Sequence, residues 1–174
     1  MDPRVDVSGA ALAQQLDLET KIIDLVAASY ESYKKAGVLR QTLAGDQKEL
    51  EKNQATAAIA ALKEFDQKAA RLQGSDAGGF GGGGGRGGRQ APAFAALNRT
   101  LGSLVNVVDG QDAAPTPAME TAYQGTCAEL ATAAKQWNDL MKADLANLNG
   151  ELAKQNLSPL AAAPVPIPAC KSEP

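Results

Sequence analysis

LAGDQKEL, residues 43–50, reads as the end of one helix and the start of another. Gly45 is suited to the left-handed C′ position that closes a helix, because it has no Cβ to clash there. Asp46 follows at once with Glu49 three residues on, the aspartate form of a capping box. A stop and a start with no loop between them predict two antiparallel neighbouring helices. Upstream, Ser8 is a good N-cap, and Leu12, Leu16, Glu19, Ile23, Val26, Tyr30 and Tyr33 follow at alternating steps of four and three. That row predicts a seam along one face, widened by Ile22, Leu25, Val38, Leu39 and Leu43. Downstream, Ala55, Ala58, Leu62, Phe65, Ala69 and Leu72 form a second seam, ended by Gln73 and Gly74. The first two helices are therefore expected over 8–44 and 46–73.

Residues 74–90, with GGFGGGGGRGGRQ at their centre, interrupt the pattern; ten of these 17 residues are glycine. An RNA-binding arm would want repeated arginine and aromatic residues, but only Arg86, Arg89 and Phe80 are present, in an acidic chain. A phosphate loop would want a preceding strand and a Lys-Ser/Thr pair, and neither is there. Slack between two helices remains. A third helix is expected over 92–109, opened by Pro92 and seamed by Phe94, Leu97, Leu101, Leu104 and Val108. Thr116 and Pro117 cap and open a fourth, over 117–155, seamed by Met119, Tyr123, Thr126, Leu130, Ala133, Trp137, Met141, Leu145, Leu148 and Leu152. Asn156 reads as its C′ residue. The prolines of LSPLAAAPVPIPACKSEP then forbid helix and favour an extended tail. The expected fold is all-α: an up-down-up-down four-helix bundle. It has a lead-in over 1–7, a bundle over 8–156 with a Gly-rich linker over 74–90, and a Pro-rich tail over 157–174.

Composition narrows the chemistry. The 174 residues suit one domain, with only 4% aromatic residues and a net charge of −3. That charge steers neither nucleic acid nor anionic lipid. No histidine is present, which removes the commonest general base and metal ligand. No apolar run reaches the roughly 18 residues of a membrane span, and MDPRVDVSG has no signal-like apolar core.

The remaining groups read as structural. Asp17, Asp24, Glu49, Glu51, Asp139 and Asp144 fit solvated faces and caps, while Glu19 lies within a seam without a named partner. Trp137 and the tyrosines fit a core better than a ligand stack. Cys127 and Cys170 stand 43 positions apart, with no metal spacing. To pair, the tail would have to reach back about 43 Å at full stretch, so two free thiols are favoured over a disulfide. No catalytic, cofactor-binding or metal residue is assigned.

Three stretches carry a resemblance: MDPRVDVSGAALAQQLDL, FAALNRTLGSLVNVVDGQDAAPT and WNDLMKADLANLNGELAKQNLSPL. In this order, around a Gly-rich insert, they resemble the C-terminal helical region of bacterial sortilin-type BNR-repeat β-propeller proteins, often labelled glycosyl hydrolases or photosystem II stability factor-like. The resemblance covers nearly the whole chain. It implies that DPRV leads out of a β-rich segment, that Met1 is internal to a longer protein, and that the parent is exported. Any hydrolase site would lie upstream, so no catalytic residue is carried over. The expected role is a non-catalytic accessory or interaction domain whose partner is the upstream propeller. The alternatives are a fragment of a glycoside hydrolase-type enzyme and a free-standing amphipathic bundle binding membrane or lipid.

Overall fold

The structure is a computed structural model, and it describes residues 7–75 and 93–170. Among these residues all regular structure is helical: α1 (Gly9–Lys52), α2 (Thr56–Gln73), α3 (Phe94–Asp109), α4 (Pro117–Asp139), a π turn (Leu140–Asp144) and α5 (Leu145–Ala153). Two of the expected caps are present. Ser8 Oγ accepts from Ala11 N–H, and Thr116 Oγ1 accepts from Met119 N–H, with Pro117 in the first turn.

LAGDQKEL does not turn. α1 runs through Gly45 and Asp46 as one helix of 44 residues, about 66 Å long. A mid-helix glycine costs about 1 kcal/mol relative to alanine, and the full burial of Leu43 and Leu50 on either side outweighs it. The helix stops seven residues later. There Gln54 takes the left-handed conformation (φ 54°), Gln54 N–H reaches Glu51 O and Ala55 N–H reaches Leu50 O. These are the two bonds of a Schellman close, made with glutamine in place of glycine. Asp46 is therefore no cap. Its Oδ2 is cut off from solvent without a hydrogen-bond partner, and burial raises its pKa above the ordinary carboxylate value.

The buried row of α1 is Leu18, Ile22, Leu25, Ser29, Ser32, Ala36, Leu39, Leu43 and Leu50. The row Leu12–Tyr33 expected from the sequence is on another face: Leu16, Ile23 and Tyr30 are exposed, while Val26 and Tyr33 are half-buried. Small residues explain the misphasing. Ser29 and Ser32 look polar in the sequence, yet each hydroxyl bonds back to the helix's own carbonyls, of Val26 and Ala28. Both can thus be buried at little cost.

The bundle has three helical legs. α2 runs antiparallel to α1, with Arg40 forked onto Asp66 and also donating to Gln73 Oε1. α3 does not reverse again. Asn98 donates to Val26 O and Ser29 Oγ, and Gln15 Nε2 donates to Val108 O, so α3 continues down α1 in the same direction as α2. The up-down-up-down order of α1 to α4 is thereby replaced by one long leg, a second leg made of α2 and α3 end to end, and a third made of α4, the π turn and α5. The last is tied to the second by Lys68, whose Nζ lies 2.6 Å from Asp144 Oδ1.

The ends of α2 and α3 almost touch. A Cβ on Gly74 would stand 2.9 Å from Ala93 Cβ, and Arg99 donates to Ser75 O. Gly74 also has φ 75°, so this position suits glycine on two counts. Residues 76–92, including Phe80, Arg86, Arg89 and Pro92, lie outside the described residues.

Candidate functional site

Residues 157–170 carry no helix or strand, and they supply a fourth leg to the bundle. The turn into them is a second Schellman close, with Asn156 at φ 58°, its N–H on Ala153 O and Leu157 N–H on Leu152 O. The segment then runs back along α5 and α4. Asn149 receives Leu160: its Nδ2 donates to Leu160 O at 3.0 Å and its Oδ1 accepts Leu160 N–H at 2.8 Å. Asn138 holds Val165 in the same way, at 2.8 and 2.9 Å. Each asparagine thus makes the two bonds that a neighbouring β-strand would make, one donated and one accepted. Between them Trp137 Nε1 donates to Ala163 O at 2.8 Å. Across the groove, Lys35 Nζ donates to Pro164 O at 3.1 Å. Leu160 and Val165 are buried.

The tail ends in a disulfide: Cys127 and Cys170 are bonded, with Cα atoms 5.6 Å apart. This corrects the expectation of two free thiols, and the reason is a matched repeat. The helical anchors 149, 138 and 127 are eleven apart, and their tail partners 160, 165 and 170 are five apart. Eleven residues of helix and five of extended chain both span about 16 Å. Full stretch is no penalty for a segment containing Pro159, Pro164, Pro166 and Pro168, because such a chain is extended before it docks. The prolines also bring fewer N–H groups that must find partners.

The π turn lies within this anchor run, and reasoning from the sequence missed it. Its trace is visible in the seam of the third leg, which steps by four three times running: Ala133, Trp137, Met141, Leu145. Four residues per turn exceeds the 3.6 of an α-helix, and one widened turn restores the phase. All ten seam residues named for this leg are buried. Trp137 is fully buried and meets Phe94 edge to face, centroids 6.2 Å apart. Tyr123 is buried too, whereas Tyr30 is 51% exposed with Lys34 Nζ 5.6 Å from its ring centre.

The acids are dispersed. Asp17 pairs with Lys21, Glu49 with Lys52, and Asp144 with Lys68, while Glu51 accepts from Gln47. Asp139 is exposed and Glu19 half-buried. Lys68, held by Asp144 and Glu64, has its pKa raised. An open cleft of about 340 Å³ lies between α1, α4 and the tail, with Lys21, Asp24, Tyr123 and Pro168 in its walls. Among the described residues its walls hold one carboxylate, that of Asp24. Among the described residues no three His, Cys, Asp or Glu side chains gather as a metal site, and no helix is long and apolar enough to cross a membrane.

Compared with known proteins, the chain matches no family model, no curated protein and no solved structure.

Proposed function

We propose that this chain is a non-catalytic helical accessory domain that acts through protein contacts in an oxidising compartment, as part of a larger exported β-propeller protein. The observation that carries the reading is the Cys127–Cys170 disulfide. Disulfides persist where the surroundings are oxidising and are rare in reducing cytosol. This one closes a strap over the buried Trp137, so it belongs to the folding of the domain. The side chains with most chemical potential are committed to structure: the indole N–H and both asparagine amides hold the tail. The propeller parent rests on the resemblance of the three quoted stretches, and its partner surface would be the upstream region.

Thiol trapping tests the compartment. Cells producing the protein from its own gene are quenched in acid and treated with a maleimide reagent of high mass. The protein should show no mass shift without prior reduction and a two-thiol shift after it. Free thiols in the native host would overturn the reading. Absence of catalysis is tested with the purified chain on aryl glycosides, beside Glu19→Gln. Turnover that disappears in the variant would replace the accessory role with an enzymatic one.

A further inference from the structure

α1 has apolar residues on two opposite faces, and only one of them is buried. Leu18, Ile22 and Leu25 face the core. Leu16, Ile23 and Tyr30, exposed by 64%, 48% and 51%, form a stripe of step seven on the other side, with Ala27 exposed between the last two. An exposed apolar row at heptad spacing is the pattern of a helix that packs against another helix. Gln15 Nε2 bonds Val108 O, which brings exposed Val107 of α3 to the level of Leu16.

The charges beside the stripe change sign along it. Glu19 stands between Leu16 and Ile23, and Lys34 stands one turn beyond Tyr30; Lys35 is turned to the tail, on Pro164 O. A parallel partner of the same sequence would set acids against acids. An antiparallel one sets the acidic end against the basic end. We propose that this face of α1 is a homodimer interface, in which two copies pair antiparallel about a two-fold axis between residues 26 and 27. In that register Ile23 packs on Tyr30 of the second copy, and Leu16 stands opposite its Gly37, beside Val38, which is 66% exposed. Glu19 lies opposite Lys34 of the second copy. Lys34 is already drawn over Tyr30 within its own helix, so the same ammonium caps the ring and meets the incoming carboxylate. The interface is independent of the propeller reading, because it needs only this chain.

The test is the oligomeric state of the purified, oxidised chain by sedimentation equilibrium. A dimer of the 17.9 kDa chain is expected at concentrations of about 100 µM. Ile23→Asp should weaken it by at least about tenfold while circular dichroism and the thermal midpoint at low concentration stay as in the parent, since Ile23 is half exposed. Lys34→Glu should also weaken the dimer, and Glu19→Lys combined with Lys34→Glu should restore it. Ala27→Cys, next to the two-fold axis, should cross-link two copies on oxidation, whereas Leu12→Cys should not. A monomer at that concentration, an unaffected Ile23→Asp dimer, failure of the double reversal to restore association, or equal cross-linking at both positions would each overturn the proposal. In the monomer case the stripe belongs to a different protein surface.

Discussion

The two segments of this chain that break the helical pattern, residues 74–90 and residues 157–170, are alike in being low in sequence complexity and differ in where their ends meet the bundle. The first leaves the second leg at Gly74 and rejoins it at Ala93, two positions that almost touch. It interrupts a helical leg without turning it. The second is stitched into the bundle by two asparagine clamps, an indole N–H, two buried aliphatic side chains and a disulfide. Proline and glycine both end helices, but they leave different chains behind. A proline-rich segment is already extended and has little entropy left to lose on docking, whereas a glycine-rich one has the most.

Removing the docked segment should have the largest effect. Truncation after Asn156 uncovers Trp137 and Cys127, takes away Leu160 and Val165, and opens the disulfide loop. We expect a loss of about 6 kcal/mol, comparable to the whole stability of a domain, seen as loss of a cooperative thermal transition. If the truncated chain unfolds like the parent, the tail is an ornament and the contrast with the glycine stretch fails.

Cutting only the staple comes next. Cys127→Ala with Cys170→Ala, or reduction of the parent, should cost about 4 kcal/mol for a closed loop of this length. The amide clamps should survive it: hydrogen exchange at Val165 should remain slower than at exposed residues of the tail. Asn138→Ala is smaller again. It leaves the N–H and C=O of Val165 without their partner, and about 2 kcal/mol is expected in urea unfolding, with Cys127–Cys170 still formed. The smallest effect belongs to the other segment. Deleting Gly81–Gly88 should change stability by less than about 1 kcal/mol, and toward greater stability, because a shorter closed loop has less entropy to lose. A larger loss would mean that the glycine stretch is docked as well, and the two regions would no longer differ in kind.

Legibility differed between the legs. The third leg was readable because nine of its ten seam residues are apolar or aromatic, all but Thr126, all ten are buried, and Thr116 and Pro117 mark its start. The first was misread at two points. Its buried row is filled at the middle by Ser29, Ser32 and Ala36, so the apolar signal is interrupted there. Its false stop at Gly45 followed a rule that holds only when the chain has a reason to turn. Gln54 made that turn instead, because the Schellman bonds and the burial of Leu50 repay a residue other than glycine for a positive φ. Nothing local to the glycine stretch could show whether α3 reverses or continues, since direction is decided by what α3 packs against. Of the tail, its extended character was readable from the prolines, but its docking was not.

By itself the sequence determined that the chain is helical, where the first and third legs begin, which face of the third leg is apolar, and that residues 157–170 are not helix. Those properties depend on spacing and on residues within a few turns of one another. Only the tertiary structure decided that α2 and α3 form one leg, that the disulfide closes, and that one apolar stripe of α1 is buried while its opposite lies open. Each of these depends on lengths matched between distant segments. Eleven helical residues and five extended ones cover the same distance, and that equality exists only once the two are laid side by side.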